Sequence, residues 1–160
     1  AMNTGIPLRT AMAALLGIFL ICLSATARAA GEEPLKVVYD VAVDTPEAMN
    51  NVLARASHLS NLTGADPLEG SIVLVLRGNE VAYFTQANYG THKAIVDRAK
   101  SLSTGGIIVI RMSELALKVR GIDTGDVHGF IEVVPFGDSE IARLQTVEGH
   151  AYLQAHNLAR

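Results

Sequence analysis

Residues 105–121 have the sequence GGIIVIRMSELALKVRG, in which a strand pattern passes directly into a helix pattern. Four β-branched residues at 107–110 follow two glycines and predict a short strand that is covered on both faces, as in parallel sheets. Good helix formers dominate from Leu115 onward, and Gly121 ends the run. Ser113 stands at the change, where its side-chain oxygen can accept from the first helical turn. We expect a functional site at this junction, because open α/β sheets bind ligands at the carboxyl ends of their strands.

Strand and helix patterns alternate along the rest of the chain. We predict further strands at 35–43, 71–76 and 129–134, helices at 46–63, 91–102 and 139–144, a short helix at 80–86, and a ragged tail containing Tyr152 and His156. Strands separated by helices of this length predict parallel pairing with right-handed crossovers. The predicted fold class is therefore α/β, a single domain with a mostly parallel sheet of four to five strands and helices on both faces.

The first 29 residues have the pattern of a secretory signal peptide. Arg9 precedes an apolar run of 13 residues at 11–23, and Ala27 and Ala29 form a small-residue motif that predicts cleavage after Ala29. The apolar run is shorter than the roughly 20 residues that span a bilayer, which disfavours an uncleaved anchor. We therefore predict an α/β domain at 30–160 that is periplasmic or secreted, with no membrane association after cleavage.

The predicted mature chain is acidic and has no thiol. Of 13 basic and 16 acidic residues, two arginines and no acid lie in residues 1–29, so the remainder has 11 basic and 16 acidic residues and a net charge of −5. Such a surface does not attract nucleic acid without a basic patch, so no nucleic-acid partner is predicted. The single cysteine, Cys22, lies within the signal, which excludes disulfides and thiolate metal sites from the mature domain.

Motifs for the common cofactors and nucleophiles are missing. The chain has no GxGxxG sequence after its first strand, no P-loop and no GxSxG sequence around Ser113. Its five histidines show no pairing at the spacings of three or four that metal ligands on a helix use, so we predict neither a cofactor nor a metal. His92 follows Tyr89-Gly90 in a segment that could lie near a strand end, and it is kept as a candidate ligand-binding residue.

Four segments of the chain resemble those of a known family. They are IVLVLRGNEV at 72–81, GGIIVIRMSELALKVRGI at 105–122, VVPFG at 133–137 followed by IARLQ at 141–145, and GHAYL at 149–153. With them the chain from residue 35 to 153 resembles the DsrE/DsrF-like family, which includes sulfur-relay proteins. The resemblance implies a flavodoxin-like α/β sandwich that assembles into homo-oligomers, either trimers or hexamers, and a role in sulfur metabolism.

Sulfur-carrying members of that family usually have a cysteine at the end of the third strand, and alignment on Arg120-Gly121 places Ser113 there. A persulfide needs a thiolate, and a serine hydroxyl without a base cannot store sulfane sulfur. No catalytic residue is therefore assigned. Ser113 can equally be a helix cap alone, or line an empty remnant pocket. The candidate ligand-binding residues are Ser113, Glu114, Met112, Gly78, Asn79 and His92, with Asn79 and Glu114 expected to converge on Ser113.

Three functions remain open on these grounds. The first is a periplasmic DsrE-like binding or accessory protein, linked to sulfur metabolism, without persulfide chemistry of its own, whose partner is a small ligand or a sulfur-pathway protein. The second is a sulfurtransferase or sulfur-relay protein whose native nucleophile is a cysteine at position 113. The third is a structural or assembly module that docks a partner through an exposed apolar face.

Overall fold

Residues 35–63 and 72–157 are described by a computed structural model, in which five strands form one parallel sheet. The strands are β1 Val37–Ala42, β2 Ile72–Leu76, β3 Val109–Ser113, β4 Glu132–Val134 and β5 Ala151–His156. The helices are α1 Pro46–Thr63, α2 Tyr89–Thr104, α3 Glu114–Lys118 and α4 Gly137–Thr146, with 3-10 helices at Asn79–Phe84 and Thr124–Asp126. This is the α/β, flavodoxin-like class predicted from the sequence. None of the helices in these ranges is long and apolar enough to cross a membrane.

The strand order is β4-β3-β2-β1-β5, so the chain crosses the sheet in two directions. From β1 to β4 each helix carries the chain to the next strand on one side, whereas α4 returns it past three strands to the opposite edge. Because parallel crossovers are right-handed, α4 must lie on the face opposite to α1, α2 and α3. The sheet is therefore covered on both faces, and within residues 35–63 and 72–157 three of the α-helices lie on one face and α4 lies on the other.

The packing of the core follows this division. The larger cluster joins one side of the strands to buried residues of α1, α2 and α3, including Met49, Val96 and Leu117. The smaller cluster joins the other side of the strands to α4 and consists of Val38, Val73, Val75, Ile141 and Leu144, with Val109 packed against it. In the described part of the chain α4 is the helix that covers the second face, and the side chains of β5 on that face are more exposed than those of β1 and β2.

The third strand begins two residues later than the sequence predicts. Gly105 and Gly106 close α2, since Gly106 takes a positive φ of 72° and Ile107 donates its N–H to the Leu102 carbonyl over 2.9 Å. Residues 107 and 108 therefore form the connection from helix to strand, although Ile108 is buried. The strand instead continues to Ser113. A prediction based on apolar runs misses this end of the strand, because Arg111 and Ser113 are polar.

The predicted ragged tail is wrong, because residues 151–156 form β5 in parallel register with β1. In β5 only Ala155 is buried and three of the six residues are exposed, because the strand lies at the edge of the sheet and no described element packs on one of its faces. The strong apolar signal of a central parallel strand is therefore missing. The fourth strand is also shorter than predicted, since Gly129 and Phe130 belong to the turn that precedes β4.

Candidate functional site

Ser113 lies where the winding of the sheet reverses. The carboxyl end of β3 leads into α3 on one face, and that of its neighbour β4 leads into α4 on the other, with Ser113 and Val134 paired at the two ends. Adjacent strands whose crossovers leave in opposite directions create the crevice in which open α/β sheets bind ligands. The prediction that Ser113 stands at a strand–helix junction is confirmed.

The Ser113 side chain is buried, with 2% of the residue exposed, and it accepts two backbone hydrogen bonds. The Ala116 N–H donates to Oγ over 3.4 Å, as expected for a helix cap, and the Gly137 N–H donates to it over 3.1 Å. Among the described residues, no histidine or carboxylate bonds to this hydroxyl. Among the described residues, Ser113 therefore has no partner that could act as a base and activate its hydroxyl as a nucleophile.

Gly137 packs against Ser113, because the start of α4 lies directly on the end of β3. A Cβ atom at Gly137 would lie 3.2 Å from Ser113 Cβ and 3.4 Å from Arg77 Cβ. This close approach favours glycine, and it lets the starts of two helices share one oxygen acceptor. Gly137 thus has Ser113 and Arg77, the residue after β2, as neighbours.

The two residues flanking Ser113 have different environments. Met112 is fully buried in the larger core cluster, so its side chain packs in the core and is not available to a ligand. Glu114 is partly exposed and forms an ion pair with Lys118 over 2.7 Å, one turn along α3. Glu114 follows Ser113 in the chain, but its carboxylate pairs with Lys118 of its own helix.

Asn79 does not converge on Ser113. Its side-chain N–H donates to Asp44 Oδ1 over 2.7 Å, and its oxygen accepts from Arg120 over 2.8 Å. Arg120 follows the end of α3 and also donates to the Ala116 carbonyl. Asn79 therefore ties the loop after β1 to the end of α3, and it does not extend the Ser113 site.

Gly78 and His92 have structural surroundings. A Cβ atom at Gly78 would lie 2.7 Å from the Ala42 Cα atom, so only glycine fits where the loop after β2 crosses the end of β1. His92 lies at a kink inside α2, with non-helical φ and ψ of −114° and 22°, and its ring packs on Tyr83 with centroids 4.6 Å apart. Neither residue is in hydrogen-bond contact with Ser113 in the described part of the chain.

A polar cluster that the sequence did not reveal lies next to Ser113 on the face covered by α4. At its centre Asp40, 4% exposed, accepts from Arg77, with Nη2 and Oδ2 2.9 Å apart and Nε bonded to Oδ1. The Tyr152 hydroxyl donates to Asp40 Oδ2 over 2.6 Å. The two oxygens of one buried carboxylate thus join β1, the end of β2 and β5.

His156 and Asp138 complete this cluster, which we call the Asp40 cluster: Asp40, Arg77, Asp138, Tyr152 and His156. His156 Nε2 lies 3.0 Å from Asp40 Oδ2 and 3.2 Å from Arg77 Nη2. Asp138, in the first turn of α4, lies 3.5 Å from Arg77 Nε. Through Arg77 and Gly137 the cluster is continuous with Ser113, so the carboxyl edge of the sheet has one extended polar site.

The electrostatics of the Asp40 cluster favour an ionised Asp40 and a neutral Tyr152. Burial by itself would raise the pKa of Asp40, but the hydrogen bonds from Arg77 and Tyr152 and the nearby positive charge outweigh it and lower that pKa. The hydrogen bond to Asp40, followed by burial, raises the pKa of Tyr152. The carboxylate therefore stays ionised and the tyrosine stays neutral at physiological pH.

Glu80 is a second buried carboxylate at this edge, and it is fully enclosed. Its oxygens accept the backbone N–H groups of Val43 over 2.9 Å, Arg77 over 2.9 Å and Gly78 over 2.8 Å. Burial raises the pKa of Glu80, and the backbone donors partly oppose that shift. Glu80 therefore fixes the loops that follow β1 and β2, and with them the position of Arg77.

The Asp40 cluster and Ser113 differ in how far they can be reached by a ligand. Ser113 is buried and, among the described residues, bonds only to backbone N–H groups; these residues also contain no group of three or more histidine, cysteine or acidic side chains that could hold a metal ion. The Asp40 cluster in contrast presents Tyr152, 42% exposed, and a half-buried His156 on a part of the sheet that no other described element covers. Polar side chains held rigid by a buried ion pair can recognise a ligand or partner by hydrogen bonds.

Sequence reasoning missed the cluster for a physical reason. Asp40 lies within an apolar strand, Arg77 follows another, and Tyr152 and His156 lie in the segment predicted as a tail, so no local spacing connects them. Alternation of side chains along β5 would have placed Tyr152 and His156 on one face, had the strand been recognised. The predicted signal segment and Cys22 lie outside the described residues.

Comparison with known proteins supports the fold and nothing finer. No family model matches the chain, and no curated protein matches it. The solved structure of a protein of unknown function, MTH1491 from Methanobacterium thermoautotrophicum, is similar with a TM-score of 0.53 and 23% sequence identity, covering 75% of this chain and 98% of that chain. At this level of identity the likeness shows a shared α/β fold.

Proposed function

We propose that this protein is a periplasmic, homo-oligomeric binding or accessory protein of the DsrE-like class, without persulfide chemistry of its own. The observation that carries the proposal is the state of Ser113, a buried hydroxyl that accepts from Gly137 and Ala116 and has no base among its partners. A site that keeps the strand–helix geometry without a thiol can still recognise a ligand or a sulfur-pathway protein, but it cannot form a persulfide.

The ligand or partner would contact the edge where Ser113 and the Asp40 cluster meet. Arg77 and Asp138 supply donors and acceptors next to Gly137, and Tyr152 and His156 extend that surface along β5. The groups are held by buried partners, so a polar ligand would meet a surface that is already ordered.

Sulfur transfer to the purified protein tests the proposal. The mature protein is incubated with polysulfide, freed of excess reagent, and examined by intact mass spectrometry and cold cyanolysis. We expect no stable sulfane-sulfur adduct, because no thiol is present after residue 29. A stable adduct on the mature chain would overturn the proposal.

A sulfurtransferase with a native cysteine at position 113 is the second candidate, and the surroundings of Ser113 favour it specifically. The two N–H groups that reach Oγ would also stabilise a thiolate, as donors at a helix start do. The Ser113→Cys variant in the same polysulfide assay distinguishes the candidates. Uptake by that variant, together with a cysteine codon in the native gene, would favour the sulfurtransferase.

A further inference from the structure

The outer edge of β5 is open in the part of the chain that the structure describes, where β1 is its single strand partner. The Ala151 N–H donates to the Lys36 carbonyl over 2.8 Å, so the main-chain groups of residue 151 point toward β1. Because these groups alternate along a strand, those of Tyr152, Gln154 and His156 point away from the sheet. The N–H and C=O groups of these three residues are thus available along this edge.

The composition of β5 does nothing to block pairing. Its sequence, AYLQAH, contains no proline, lysine, arginine or acid, whereas exposed edges are usually protected by such residues or by being short. The opposite edge is protected in both ways, since β4 has three residues and begins with Glu132, which is paired with Arg111 over 2.9 Å. The β5 edge therefore lacks both of the protections that the β4 edge has.

We propose that β5 pairs antiparallel with β5 of a second copy of this chain, about a two-fold axis at Gln154. In this register Tyr152 lies opposite His156 of the second copy and Gln154 lies opposite itself, so all the outward main-chain groups of each strand are bonded. The pairing is self-complementary, because an amide side chain both donates and accepts, and no like charges meet. Isologous contacts of this kind give closed dimers.

The second copy also contributes to the Asp40 cluster. The cluster has two carboxylates, Asp40 and Asp138, around the single guanidinium of Arg77. The incoming strand brings no acid, and it places an imidazole beside Tyr152 on the same face of the sheet. The inference rests on the homo-oligomer of the proposed function and narrows it to assemblies that contain a two-fold axis, such as a dimer or hexamer.

Light scattering coupled to size exclusion, with the Gln154→Pro variant, tests this interface. The Gln154 N–H points outward, so proline there removes a donor between copies while the pairing with β1 is kept. We expect an even-numbered wild-type assembly and a variant of half that mass with an unchanged circular dichroism spectrum.

Gln145, on α4, is the control position away from the interface. Proline there would break the helix, so glutamate is introduced at both positions and the two glutamate variants are compared. Gln154→Glu places two like charges opposite each other at the two-fold axis, whereas Gln145→Glu makes the same chemical change away from the interface. We expect Gln154→Glu alone to weaken assembly, by about fivefold.

Cross-linking gives an independent readout. Cα atoms of a hydrogen-bonded antiparallel pair lie about 5.5 Å apart, within the range that a disulfide spans. With Cys22 changed to serine, Gln154→Cys should form an oxidised dimer and Gln145→Cys should not. A monomeric wild type, an assembly whose mass Gln154→Pro leaves unchanged, or absence of the Gln154→Cys dimer would overturn the inference, and none of these results bears on sulfur uptake.

Discussion

Gly137 donates its backbone N–H to the Ser113 hydroxyl over 3.1 Å and thereby joins the end of β3 to the start of α4. These two elements lie on opposite sides of the point where the sheet reverses its winding. The contact contributes to the burial of Ser113, which is 2% exposed. It also makes the site sensitive to substitutions that change the volume or the hydrogen bonding at this single contact.

Gly137→Ala should destabilise the protein by about 1–3 kcal/mol, because the added methyl group would lie 3.2 Å from Ser113 Cβ in a packed region. Urea unfolding followed by circular dichroism measures the change. Gly129→Ala is the matched control, since a Cβ atom there meets no atom within 4 Å. Equal stability of the two variants would contradict the close packing of α4 on β3.

Ser113→Ala should cost about 1–2 kcal/mol of unfolding free energy, because the N–H groups of Gly137 and Ala116 lose their acceptor in a buried position. The same unfolding measurement applies. Ser139→Ala is the control, since that exposed hydroxyl donates to the Phe136 carbonyl and leaves no buried donor when removed. A neutral Ser113→Ala variant would show that the two bonds contribute nothing to stability.

Glu80→Gln should be more destabilising than its small change in shape suggests. The carboxylate oxygens accept from Val43, Arg77 and Gly78, and an amide must place its NH2 group against at least one of these donors. We expect a loss of about 1–3 kcal/mol in chemical denaturation. Glu47→Gln, on the exposed first turn of α1, should change stability far less, and similar losses in both variants would reject the assigned role.

Asp40→Asn should alter how stability depends on pH. The pKa of Asp40 lies below its ordinary value of 3.8, so ionised Asp40 stabilises the fold above that value and loses this contribution as pH falls through the folded pKa. The variant should therefore be less stable than wild type at neutral pH, and the difference should shrink below pH 3.8. Denaturation at several pH values measures it, and a difference independent of pH would contradict the prediction.

Most of the fold was predictable because it depends on local patterns. The apolar runs of β1 and β2 and the periodicity of α1 arise from burial on both faces of a strand or one face of a helix, and each is visible within a few residues. The place of Ser113 at a strand–helix junction followed in the same way, since its capping role needs only its own neighbours. The edge strand β5 was missed because half of it faces solvent.

The sequence by itself determined the α/β class, the central strands, and a hydroxyl at the end of β3, since these depend on residues close together in the chain. Only the tertiary structure decided which polar groups meet. Asp40 and Tyr152 are 112 residues apart, and they bond because β5 returns beside β1. Asn79, expected beside Ser113, contacts Arg120 instead. The path of the chain after each strand depends on the arrangement of the whole sheet, and local sequence does not specify it.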